Sequence, residues 1–112
     1  MTLEDVVIIL KSVLPDKVFY GSNVYDNEDN ASMPYIVYQE ITKRAIGYGD
    51  NLPLAFSSKI QITLVTKKKN LSLERSLEKA LLDNNISFEV TSEFFNSDKS
   101  INRIYQINME EI

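Results

Sequence analysis

The chain contains no cysteine and no histidine. Lacking cysteine, it has no disulfide framework and no thiolate metal site. Lacking histidine, it is without the commonest general base, the commonest metal ligand and the side chain that changes charge near neutral pH. Long hydrophobic runs are missing as well. The apolar run Val6-Val7-Ile8-Ile9-Leu10 is five residues and follows Glu4 and Asp5 rather than lysines, so it does not read as a signal peptide. No stretch is long enough to span a bilayer, and an intracellular origin is expected. Under that expectation the sequons at Asn30, Asn70 and Asn85 carry no glycosylation meaning. Positive charge is scarce: 12 Lys and Arg stand against 16 Asp and Glu, a net charge of −4. This argues against nucleic-acid binding through a broad basic face, because such affinity comes mainly from neutralising phosphates. The excess is lopsided, since residues 1–56 hold eight acids and four bases whereas residues 57–112 hold eight of each.

What is present fits one small globular domain. At 112 residues, 44% hydrophobic and 25% charged, the chain can bury roughly two-thirds of its unfolded surface in a single core. Collagen-like, coiled-coil and wholly disordered classes do not fit that composition.

Thr2 predicts a helix cap, with Asp5 three positions on, and Leu3, Val6, Val7, Leu10, Val13 and Leu14 recur at helical spacing until Pro15. Ile8 falls on the opposite side of that helix, among Glu4, Lys11 and Ser12. Val18-Phe19-Tyr20 reads as a short strand closed by Gly21, and residues 22–33 as a polar surface loop. Strands are predicted over Tyr35–Thr42 after Pro34, and over Lys59–Val65, where Ile60, Ile62 and Leu64 alternate with Lys59, Gln61 and Thr63. Between them, residues 43–58 are too long for a tight turn and too aromatic for a plain linker, which predicts a protruding, unpaired arm. A second helix is predicted with Ser72 as its cap. Leu73, Leu77, Ala80 and Leu81 form its buried stripe, with Leu82 misplaced on the charged side near Arg75 and Glu78, and Asn84-Asn85 ends it. Two further strands follow. In one, Phe88, Val90 and Phe94 alternate with Glu89, Thr91 and Glu93; in the other, Tyr105, Ile107 and Met109 alternate with Gln106 and Asn108.

The order α-β-β-β-α-β-β predicts an α+β, two-layer sandwich: a mostly antiparallel sheet of four to five strands with both helices on one face. The other face is expected to be wet, showing Lys59, Gln61, Thr63, Glu89, Thr91, Glu93, Gln106 and Asn108.

Chemistry-bearing groupings are few. Gly47-Tyr48-Gly49 lacks the following Gly-Lys-Ser/Thr of a phosphate loop, and Asp26, Glu28, Asp29 and Asn30 lack the glycine and distal glutamate of a calcium loop. Glu89 and Glu93 read as a solvated face, and no serine has a base to activate it. No catalytic residue, cofactor site or metal site is expected. Lys67, Lys68 and Lys69 form the basic cluster, with phosphate or partner contact as the functional reading and a solvated turn as the plain one. Ile8 and Leu82 each place a bulky aliphatic on a charged helical face. Together with Arg44, Tyr48, Asp50, Asn51, Leu52, Leu54 and Phe56 on the arm, they are the candidate self-association residues.

The layout has a familiar sequence. A capped amphipathic helix leads to Val18-Phe19-Tyr20-Gly21, Met33-Pro34-Tyr35-Ile36-Val37-Tyr38, Tyr48-Gly49-Asp50-Asn51 and the strand running into Thr66-Lys67-Lys68, then to a helix and two strands. Over nearly its whole length it resembles the small tail-terminator (tail-completion, head-tail joining) proteins of tailed bacteriophages and prophages of low-GC Gram-positive bacteria. It departs from them at Gly49, where the family often has alanine. The resemblance implies a hexameric ring that caps the tail tube, ends its polymerisation and docks to the neck of the filled head. It implies as partners other copies of the chain, the major tail-tube protein and head-neck connector proteins, with DNA passing through the lumen without specific binding and no membrane contact. It implies a place in the virion tail or neck, and in the host cytoplasm during assembly. Off-stripe apolar residues and an apolar arm suit the head-to-tail contacts of a ring, and a polar, partly acidic sheet face suits a lumen that does not grip phosphate. The alternatives are a head-completion or neck connector protein of the same virion, and a small enzyme or nucleic-acid-binding accessory protein.

Overall fold

The computed structural model describes residues 2–21, 32–49 and 52–111; at 46–49, 52–54 and 111 it describes the backbone alone. The elements run α1 (Leu3–Val13), β1 (Val18–Tyr20), β2 (Tyr35–Gly49), β3 (Leu52–Thr66), α2 (Leu71–Asp83), β4 (Phe88–Phe95) and β5 (Ile101–Glu111). The strands form one sheet in the order β1-β2-β3-β5-β4, antiparallel throughout except for the parallel β1–β2 pair. This is the α+β sandwich with a five-stranded, mostly antiparallel sheet. The helices contribute Val6, Ile9, Leu10, Leu77 and Leu81 to the same cluster as Ile36, Ile60, Ile62, Leu64, Tyr105 and Ile107, so both lie on one face of the sheet.

Local chemistry explains the helix ends. Thr2 Oγ1 accepts from the Asp5 N–H at 3.2 Å while the Thr2 N–H donates to Asp5 Oδ2 at 2.8 Å, a reciprocal capping box. Thr2→Ala should therefore destabilise the fold by about 1 kcal/mol in a urea titration; an unchanged midpoint would mean that the cap is redundant with packing. At α2 the cap is Asn70, not Ser72: its Oδ1 accepts from the Leu73 N–H at 3.1 Å, so the helix begins at Leu71. Asn84 ends it, and Asn85 takes φ +61°, the left-handed conformation that asparagine tolerates after a helix. Gly21 closes β1 at φ +49°, donating its N–H to the Tyr38 carbonyl at 2.9 Å.

The segment expected as an unpaired arm is paired. β2 and β3 are each 15 residues long and pair from Tyr35–Val65 up to Gly49–Leu52, forming a ribbon about 50 Å long at the usual strand rise. Since β3 pairs with β5 only from Phe56 onward, the ribbon's outer part stands beyond the sheet, and the longest dimension is 53 Å. Pairing between the two strands satisfies the backbone groups on their facing sides. The polar stretch 22–31, with Asp26, Glu28, Asp29 and Asn30, lies outside the described residues, as do Asp50 and Asn51.

Two expectations about the sheet faces fail, for separate reasons. A bulge between Val90 and Ser92 slips β4 by one residue, which turns Glu93 to the helix side opposite Arg103 and Phe94 to the other face opposite Asn102. Glu89 and Glu93 thus lie on opposite faces. Secondly, the face away from the helices is not uniformly wet: Phe19, Val65 and Thr63 are buried there, beside half-buried Tyr35, Val37 and Ile104. Phe19 and Tyr35 meet edge to face at 6.2 Å. Polar Gln39, Gln61, Gln106 and Glu89 form a single cross-strand row on the same face.

Candidate assembly surface

The exposed large apolar side chains are the least economical feature of this surface, because each leaves hydrocarbon in water. Ile8 is 67% exposed on α1 and Leu82 57% exposed on α2, both on the sides away from the core, as helical phasing expects. Leu71 on α2, Ile41 on β2, and Phe94 and Phe95 at the end of β4 are also exposed. Phe94 escapes the sequence pattern because period-two alternation cannot anticipate a bulge. Phe95 reaches 75% exposure.

On the ribbon, Arg44 is exposed and sits opposite Ser57, and Phe56 is exposed with the Lys43 ammonium 5.1 Å from its ring centre. The backbones of Tyr48 and Leu52 pair with Pro53 and Gly49; the side chains of Tyr48, Leu52 and Leu54 are outside the described set. The arm residues therefore share one ribbon, whereas Ile8 and Leu82 belong to the helical layer.

The basic cluster divides. Lys67 and Lys68 are exposed in the turn after β3, beside a shallow cavity of about 250 Å³ that Pro34 and Thr66 also line. Lys69 is engaged by carboxylates: its ammonium donates to Glu93 at 2.7 Å and to Glu74 at 3.0 Å, with its side chain 43% exposed.

Those bonds belong to a charged network under α2. Glu74, only 5% exposed, approaches Arg103 at 3.5 Å; Arg103 also lies 3.5 Å from Glu78 and 3.3 Å from Glu93, and donates to the Tyr105 hydroxyl at 2.8 Å. Tyr105 donates in turn to Glu78 at 2.8 Å. Burial and that donation push the Tyr105 phenol well above its ordinary range. Burial works against the Arg103 charge, but the Tyr105 oxygen and the surrounding carboxylates outweigh it and hold the guanidinium above its usual value. The network was invisible to a reading that placed Glu78 and Glu93 in solvent. Two signals pointed to it: Glu74 and Glu78 are one turn apart beside the Leu77–Leu81 stripe, and Arg103 stands two residues before the inward-facing Tyr105.

Glu93 sets an acid limit on this corner. The Lys69 ammonium, against some desolvation and with help from Arg103, holds its carboxyl below the ordinary 4.5. A carboxyl lowered in the fold contributes stability that is complete above the unfolded value and lost as pH falls through the folded one. Thermal midpoints should therefore decline on acidification below about pH 4.5, with a shallower decline for Glu93→Gln, measured by circular dichroism. Equal slopes would show that Glu93 is not coupled to folding. Lys69, raised above 10.5 by Glu93 and then Glu74, works in reverse: its contribution is complete below pH 10.5 and lost above it.

No protein-family model matches the chain, and no curated protein matches its sequence. Among the described residues, no three acidic side chains gather as a metal site, and no helix is long and apolar enough to cross a membrane.

Proposed function

We propose that this chain is a structural subunit of a phage or prophage tail, a tail-terminator-like protein that works by assembling with copies of itself into a ring. The ring would cap the tail tube next to the head. The observation that carries the reading is the distribution of exposed apolar side chains over both helices and a sheet edge, on a core that is otherwise well buried. Single exposed aliphatics are ordinary, whereas groups on several faces suit a subunit with neighbours on more than one side. The ribbon projecting beyond the sheet supplies a reach toward such a neighbour. The sequence resemblance supplies the tail and the head-side location. In this reading the protein acts by binding and not by catalysis.

Light scattering and negative-stain imaging of the purified protein, alone and with a tail-tube protein, test the reading. Rings are the expected result. A monomer at high concentration that stays monomeric on added tube protein would sink it. A head-completion or neck connector protein would also form rings but would sit on the portal side. A gene immediately upstream of a major tail-tube gene favours the terminator.

A further inference from the structure

We infer that neighbouring copies join edge to edge, β4 of one copy adding to the open edge of β2 in the next, with Glu89 paired to Arg44 across the junction. The inference rests on the ring reading above and specifies the contact. β4 is the last strand on its side of the sheet, and at the other edge β1 covers β2 only at Ile36–Tyr38. From Gln39 to Gly49 the outer side of β2 has no strand partner among the described residues. Unpaired edges offer rows of N–H and C=O groups that another chain can complete.

The occupant is a second copy because the two edges complement each other in direction, charge and polarity. Each of the intervening pairs is antiparallel, so β4 runs opposite to β2 and would meet the next β2 as an antiparallel partner. Glu89 and Arg44 are exposed, of opposite charge, without an ion-pair partner among the described residues, and on the same face of the sheet. With these two opposed, the exposed Phe94-Phe95 end of β4 runs toward exposed Ile41 and Tyr20 of the neighbouring copy.

The stagger can be calculated from the register. Glu89 lies level with Gln106, Gln61 and Gln39, whereas Arg44 lies level with Ser57, four residues along β3. At about 3.3 Å per residue the offset is about 13 Å, and the repeat of four strands at about 4.8 Å is about 19 Å wide. The strands would then tilt by about 35° to the ring axis, at the low end of the tilt with which sheets close on themselves. Head-to-tail contacts of this kind generate a closed ring when the rotation closes.

Charge reversal tests the contact. Glu89→Arg and Arg44→Glu are each expected to raise the concentration for half-assembly at least tenfold, read by sedimentation velocity, with unchanged circular dichroism. The double variant should recover wild-type assembly, because the pair is restored in the opposite sense. If the wild type forms rings and neither single reversal shifts the midpoint, or the double does not recover, the edge contact is wrong while the ring reading stands. A wild type that forms no ring defeats both.

Discussion

Exchange of Arg103 for alanine is expected to destabilise the protein by about 3 kcal/mol at neutral pH, lowering the thermal midpoint by roughly 15 °C. Arg103 is the cation shared by Glu74, Glu78 and Glu93, and Glu74 is the one least able to find water instead. Taking away one member of a buried charged group leaves the others desolvated and uncompensated, which is far more damaging than never having the group. Lys69 would remain on Glu74 and Glu93, leaving three carboxylates against one ammonium. Arg103→Met separates charge from packing: it keeps much of the aliphatic stem over the Tyr105 ring, which the guanidinium now faces at 5.3 Å, yet should lose nearly as much as alanine. The deficit of both variants should narrow below about pH 4.5, because Arg103 helps to hold the Glu93 carboxyl below that value and the wild type loses this contribution as pH falls. Chemical denaturation of the three proteins at pH 7 and pH 4 measures this. Variants within 0.5 kcal/mol of wild type at pH 7 would mean that the network contributes nothing to folding.

The fold was legible because its main signals are periodic. Thr2 and Asp5 announce α1, Leu73-Leu77-Leu81 fix the inward side of α2, and Ile60-Ile62-Leu64 and Tyr105-Ile107-Met109 alternate cleanly into the core. The errors lie where a local irregularity or a distant contact overrides period. One extra residue at Thr91 reverses the last turns of β4, exposing Phe94 and carrying Glu93 to Lys69 and Arg103. Burial of Phe19 and Val65 on the supposedly wet face follows from the parallel placement of β1 beside β2, which no local pattern encodes. In the ribbon, turn chemistry at Asp50-Asn51 between two β-rich runs was a hairpin signal, and the tyrosine and glycines around it made it read as irregular. Of the candidate surface, Ile8 and Leu82 came from helical phasing alone. The Phe94-Phe95 end and the Glu89–Arg44 complement required the sheet order, because edge positions are a property of topology.

Adjacent positions on α2 separate folding from assembly. Leu82→Glu and Ile8→Glu are expected to abolish ring formation while leaving stability within about 0.5 kcal/mol of wild type, since each side chain already faces solvent and gives up no core contact in the monomer. Leu81 is the internal control. It is fully buried against the sheet, one residue from Leu82, and even Leu81→Ala should cost about 3 kcal/mol through lost burial and the cavity left behind. A carboxylate in a neighbour's apolar contact has the opposite consequence to one in water: it must be desolvated without a partner each time two copies meet, a penalty of several kcal/mol that is repeated at every junction of the ring. Assembly should therefore disappear outright at concentrations where the wild type is fully assembled, with the far-ultraviolet spectrum and the urea midpoint unchanged. Sedimentation velocity and urea titration on the same preparations separate the alternatives. Loss of fold in the Ile8 or Leu82 variants would place those residues in the core, and intact rings would remove the helical layer from the interface and leave the sheet edges as the only contact between copies.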